Sequence, residues 1–391
     1  MIYLDNSATS FLKPASVWKA VDEAARRCAS PGRGSYTAAA AADEAMFRCR
    51  LAAGALFSCE PEQVVFTMNA THALNMAIRT LVKQGGNAVI SGFEHNAVVR
   101  PLHLLGARVT VAGEKLFETA DTLEAFDRAI RPGTDAVICT HVSNVFGYIL
   151  PIEEIAALCK QRGVPLIVDA SQSAGCLPIS LRTLGADFIA MPGHKGLYGP
   201  QGTGLLLCGR LPEPLLAGGT GSRSKLPDMP DFLPDRGEAG TPNVTGICGL
   251  AAGIGFVRQM TPERILAHEK KLCTVLRNAI AALPDVECFG DLGERQSGVL
   301  SFRCALDCEI AAQRLADRGC AVRAGLHCAP LAHQSAGTLQ SGTVRLSPSA
   351  FTTMRDAKWA GKILRKALCP EGHAPAEKND GLTCENALSR I

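Results

Sequence analysis

Between residues 60 and 210 the chain carries seven short strand-like runs, six of them continuously apolar. They are Val64-Val65-Phe66, Ala88-Val89-Ile90, Val109-Thr110-Val111, Ala136-Val137-Ile138, Leu166-Ile167-Val168, Phe188-Ile189-Ala190 and Leu205-Leu206-Leu207. After the first, Leu74, Ala77, Ile78, Leu81 and Val82 recur at helical spacing. A strand with one wet face alternates polar and apolar residues, whereas six of these runs do not, so both faces of most of the sheet must be covered. The expected fold class is therefore α/β: a mainly parallel seven-stranded sheet covered by helices, followed by a smaller α+β domain. In such sheets ligands bind beyond the carboxyl ends of the strands.

The expected division is a large domain over 16–250, a small domain from 1–15 and 251–369, and a loose tail over 370–391. Residues 218–243, rich in glycine and proline, read as a long active-site or interface loop. A helical stretch from about 247 to 282 leads into strands near 299–302, 320–324 and 342–346, with helices near 309–318 and 352–368.

An apolar content of 47% with 20% charged residues fits a globular chain. A net charge of +3, with no basic block interleaved with aromatics, argues against nucleic acid as a partner. No run is long enough to span a bilayer and the start lacks a signal-peptide pattern, so a cytoplasmic protein with no membrane partner is expected. The sixteen cysteines are scattered, mostly in apolar runs, and no C-x-x-C pair occurs. Most read as buried free thiols, and no metal site is expected.

Two residues at neighbouring strand ends carry chemistry. Lys195 lies in Gly193-His194-Lys195-Gly196 just past one apolar run, and Asp169 ends another. Singly, each reads as a strand cap or turn residue. Together they match what pyridoxal 5'-phosphate needs: an amine that condenses with the aldehyde, and a carboxylate that keeps the ring nitrogen protonated. Ala70, Thr71 and His72 open a helix, where free N–H groups suit a phosphate, although an ordinary N-cap explains them as well. His95 suits stacking on a pyridine ring, Asn144 and Gln172 suit its hydroxyl, and His194 precedes the lysine.

In this order, Thr71-His72, Glu94-His95, Ser143-Asn144, Asp169-Ala170-Ser171-Gln172 and Gly193 through Pro200 resemble the class V aminotransferase family, and most of all its cysteine desulfurases. Tyr3-Leu4-Asp5-Asn6-Ser7-Ala8-Thr9, Glu238 through Asn243, and Arg323 through Pro330 fit the same family. The resemblance implies a fold-type I homodimer with shared active sites, in which Thr241 reaches the phosphate held by the partner chain. One position departs: Pro192 stands where the family usually has a phosphate-binding serine. The lost hydrogen bond is worth on the order of 1.5–3 kcal/mol.

Cys328 narrows the reaction. It sits in Gly325-Leu326-His327-Cys328-Ala329-Pro330, between a strand and a flexible stretch, where a neighbouring imidazole or arginine favours the thiolate. By resemblance it takes sulfur from L-cysteine as a persulfide, alanine leaves, and an acceptor protein receives the sulfur. Before that transfer, Lys195 shuttles the α-proton with help from His95. The short cysteine run resembles the group II desulfurases, the selenocysteine lyase-like branch, with Leu326 in place of a histidine usual in many of them. Arg345 suits the substrate carboxylate, Arg323 is the second candidate, and Asn144 is placed to assist. A selenocysteine lyase, another class V aminotransferase or C–S lyase, and a non-catalytic scaffold of the same fold remain open at this point.

Overall fold

The computed structural model describes residues 1–368 apart from Arg33 and Leu292, so the expected tail over 370–391 lies outside the described residues. In chain order the first strands are β1 (Ile2–Tyr3), β2 (Val64–Thr67), β3 (Asn87–Ser91), β4 (Arg108–Ala112), β5 (Ala136–Thr140), β6 (Leu166–Asp169), β7 (Phe188–Pro192) and β8 (Gly204–Cys208). Seven of them form one sheet in the order β2-β8-β7-β6-β5-β3-β4. β8 is antiparallel to both neighbours, and the other pairings are parallel. The residues of β2, β5, β6, β7 and β8 are buried throughout, which is why their sequences are continuously apolar.

Two apolar layers cover this sheet. One joins Cys49, Phe57, Phe66, Val137, Val168, Ile189 and Leu250, and the other joins Leu74, Ile78, Ile90, Ile138, Ile167, Phe188 and Leu206. Helices Ala15–Arg27 and Thr37–Phe57, which lie outside the elements expected from sequence, pack with helix Val244–Met260. That helix runs through the boundary expected at 250. The expected single stretch over 247–282 is broken at Thr261, whose φ is +65°, before helix Pro262–Ala281.

The second core gathers Leu4, Leu272, Leu276, Leu300, Phe302, Leu315, Val344, Leu346, Ala360 and Leu364. Its sheet contains β9 (Val286–Phe289), β10 (Leu300–Cys304), β12 (Arg323–Gly325) and β13 (Thr343–Leu346) in the order β12-β13-β10-β9, all antiparallel. β1 pairs in parallel with β11 (Cys320–Ala321), so the first residues of the chain belong to this core.

Candidate active site

The chemically suggestive residues leave one edge of the large sheet. β6 ends at Asp169, β7 leads to Lys195, β3 to His95, β5 to Asn144 and β2 to the helix Ala70–Leu81. Because these strands run parallel, their carboxyl ends face the same way.

Asp169 is buried, and its Oδ1 accepts the Ser171 N–H at 2.9 Å. Its Oδ2 accepts no protein hydrogen bond and is not sealed in, so it remains available to a ligand. Lys195 Nζ has no hydrogen-bond partner either. Enclosure by protein pushes its pKa down to about 8, and the nearby Asp169 carboxylate opposes that shift.

His95 caps helix Asn96–Leu104, its Nδ1 accepting the Ala97 N–H at 3.0 Å. The proton of the neutral ring is therefore on Nε2. Burial lowers its pKa, Asp169 raises it, and Lys195 and Arg345 lower it further, so these three charges all act on His95. Behind His95, Glu94 is fully buried. Its Oε1 accepts from Ser91 Oγ at 2.5 Å and from the Thr140 N–H at 2.7 Å, while Oε2 is buried without a partner. Burial raises this carboxyl to about 8, so it is protonated at neutral pH.

Cys328 alone among the described cysteines is exposed; nine are buried and four half-buried. Its backbone is held firmly. The Asn96 N–H donates to the Cys328 carbonyl at 2.7 Å, and Asn144 Nδ2 donates to the His327 carbonyl at 2.8 Å. The stretch that follows is not loose but a short helix, Pro330–Ser335. His327 and Cys328 are both left-handed, with φ of +48° and +56°. For residues with a Cβ this costs about 1–2 kcal/mol each, which the surrounding bonds must offset.

The imidazole next to Cys328 does not serve the thiol. His327 Nε2 points to the Thr343 carbonyl at 3.2 Å, and its ring stacks on buried His333 with centroids 5.7 Å apart. Burial, then the Arg345 charge, push its pKa down to about 2, so it carries no positive charge to favour a thiolate. Arg323, half-exposed on β12, lies within electrostatic range of Cys328.

Other expected residues have more mixed placements. Arg345 is almost fully buried, donating from Nη1 to the Asn144 carbonyl at 2.9 Å and from Nη2 to Asp5 at 3.0 Å. The Asn144 amide is thus spent on the Cys328 loop. Gln172 Nε2 donates to the Ser7 carbonyl at 3.1 Å. His194 turns away to Thr9, with Nδ1 and Oγ1 3.1 Å apart, and burial followed by the Lys195 charge holds it neutral at about 4. At the helix start, Asn69 Oδ1 takes the His72 N–H at 2.9 Å, and His72 Nδ1 accepts from the Met68 N–H at 3.3 Å. The amides of Ala70 and Thr71 stay free of side-chain caps, and His72 Nε2 is buried without a partner. Thr241 is exposed and makes no side-chain hydrogen bond within its own chain. Asp5 and Glu94 are the residues to which the sequence suggested no role.

The site fits pyridoxal 5'-phosphate on this chain's own atoms. Asp169 Oδ2 is open for a ring N–H, Lys195 carries an unpaired amine of lowered pKa, and the orphaned His72 Nε2–H with the Ala70 and Thr71 amides can meet a phosphate.

Residues 2–358 match the family profile described as Aminotransferase class-V. A probable cysteine desulfurase from Methanothermobacter thermautotrophicus is 32% identical over 381 residues, covering 93% of this chain and 94% of that protein. A cysteine desulfurase from Escherichia coli is 33% identical over 355 residues, covering 84% of each. Among solved structures, the apo cysteine desulfurase of Thermococcus onnurineus superposes with a TM-score of 0.84 at 30% identity, over 94% of both chains.

Proposed function

The chain belongs to the class V aminotransferase family, within which it is a cysteine desulfurase, and from that premise we propose that it holds pyridoxal 5'-phosphate on Lys195 and takes the sulfur of L-cysteine onto Cys328. When bound, that group supplies an electron sink for the bonds at the substrate α-carbon. Asp169 keeps a proton on the ring nitrogen, and the neutral ring of His95 covers one face. His72, with the amides of Ala70 and Thr71, holds the phosphate; the neutral His194 adds no charge there, and Pro192 adds no donor.

Arg345, braced by Asn144, receives the substrate carboxylate, with Arg323 at the rim. Lys195, an amine of lowered pKa, would move the α-proton. The Cys328 thiolate then attacks the substrate sulfur: one C–S bond breaks, one S–S bond forms, and the carbon takes a proton to become alanine. The sulfur remains on Cys328 as a persulfide for an acceptor protein.

The protein acts as a homodimer in the cytoplasm, with the partner subunit's Thr241 completing each phosphate site. Exposed Leu216, Leu226 and Phe232 on the segment that carries Thr241 support that arrangement. No helix among the described residues is long and apolar enough to cross a membrane.

The observation that carries the reading is the convergence of Lys195, Asp169 and His95 from separate parallel strands, with the exposed Cys328 tied beside His95. The test is to incubate loaded protein with L-cysteine, quantify alanine, and find the added sulfur by peptide mass. Alanine with sulfur on Cys328 is expected; sulfur on another cysteine overturns the assignment of the nucleophile.

A further inference from the structure

Arg345 and Arg323 lie directly opposite each other on the antiparallel strands β13 and β12. Like charges placed across a strand pair repel, and here Arg345 is 2% exposed, so water does little to screen it. One carboxylate resolves the conflict. Asp5 accepts from Arg345 Nη2 at 3.0 Å through Oδ1, from Arg323 Nε at 3.1 and 3.0 Å through both oxygens, and from Arg323 Nη2 at 2.9 Å through Oδ2.

The backbone of Asp5 is fixed just as closely. Asp5 bridges Ser347, two positions beyond Arg345. The Ser347 N–H donates to the Leu4 carbonyl at 2.7 Å, and the Asn6 Nδ2 donates to the Ser347 carbonyl at 2.9 Å. The same segment continues to the lysine loop, where Ser10 Oγ donates to the Lys195 carbonyl at 2.6 Å. Two guanidiniums against one carboxylate leave one positive charge over, which suits the single carboxylate of an amino acid.

We propose that Asp5 is a positioning residue, which sets the orientation of Arg345 toward the substrate carboxylate and holds Arg323 beside the Cys328 loop. The inference rests on the assignment of the substrate carboxylate to Arg345. It acts through ground-state binding rather than on the reacting atoms, so the Michaelis constant must carry its effect.

The experiment is a double-mutant cycle in the loaded enzyme, reading KM and kcat for L-cysteine in wild type, Asp5→Asn, Arg345→Lys and the double variant, with alkylation of Cys328 by iodoacetamide as a second readout. Asp5→Asn is expected to raise KM about tenfold while kcat stays within about threefold, the loss of one charge-assisted bond. In the Arg345→Lys background the same substitution is expected to cost less than about twofold, because its target is already gone. The alkylation rate of Cys328 at neutral pH is expected to change in Asp5→Asn and in Arg323→Ala, and not further when the two are combined.

An Asp5→Asn effect of equal size in both Arg345 backgrounds, or one confined to kcat, overturns the role of Asp5. An unchanged KM in Arg345→Lys alone instead overturns the carboxylate assignment beneath it. Should Asp5→Asn fail to fold, Asp5→Glu, which keeps the charge on an arm one methylene longer, carries the same cycle.

Discussion

The backbone N–H of Asn96 donates to the carbonyl of Cys328 at 2.7 Å, which fastens the thiol loop to the residue that follows His95. Cys328 and His95, the proposed nucleophile and ring-covering residue, are therefore held near each other by main-chain geometry, across more than two hundred positions of sequence. Substitutions of the Cys328 side chain leave that bond intact, so they can be read as chemistry rather than as refolding.

Cys328→Ala is expected to reduce alanine formation from L-cysteine by at least about 100-fold while leaving the visible absorbance of the loaded protein unchanged. Steady-state alanine assays with the spectrum of the same sample check both parts. Activity of this variant on selenocysteine, if retained, assigns the thiol to sulfur transfer alone.

Lys195 titrates near 8, and its free amine is the form that reacts with an aldehyde. The lowered pKa means the reactive fraction grows as pH rises and levels once the amine is deprotonated. The rate of pyridoxal phosphate uptake by cofactor-free protein should climb about tenfold per pH unit from 6 to 7.5 and flatten above 8. Stopped-flow absorbance measures it. In Lys195→Ala no adduct should survive borohydride reduction, as judged by intact mass.

Glu94 is protonated in the folded chain up to about 8 and ionises near 4.5 once unfolded. Its folded pKa is raised, so between those values the unfolded state binds fewer protons than the folded one, and stability falls as pH rises by about 1.4 kcal/mol per unit from this group. Glu94→Gln keeps the acceptor for Ser91 and Thr140 and removes the proton. Urea denaturation should give a flatter profile between pH 5 and 8 for this variant. An unchanged slope would mean that Glu94 ionises in the fold.

Thr241→Ala is expected to loosen cofactor retention about tenfold in dialysis, since in the proposed dimer it removes one bond to the phosphate. Mixing Thr241→Ala with Lys195→Ala subunits should rebuild one complete site per hybrid dimer and recover activity that neither parent shows at limiting cofactor. No recovery after verified subunit exchange would place Thr241 outside the partner's site.

Most of the large sheet is legible because double-sided burial writes continuous apolar runs, the exposed edge strand β4 excepted, and Lys195, Asp169 and His95 are legible because each ends or follows such a run. β9 carries no strand signal in the sequence, since Val286–Phe289 is a half-exposed edge with mixed polarity. The alanine-rich helix Thr37–Phe57 lacks a distinct apolar stripe. Side-chain direction was the larger gap. Sequence puts His327 beside Cys328 and His194 beside Lys195, yet the fold turns the first to Thr343 and the second to Thr9. The part played by Asp5 depends on register between β12 and β13 and on β1 meeting β11, pairings that no local pattern encodes.

The left-handed turn at His327 and Cys328 has one more implication. With its main chain pinned on both sides, the sulfur has little beyond rotation about its own Cα–Cβ bond with which to travel. It works from a fixed post, so under the proposed transfer the acceptor must come to the sulfur rather than wait for a swinging loop.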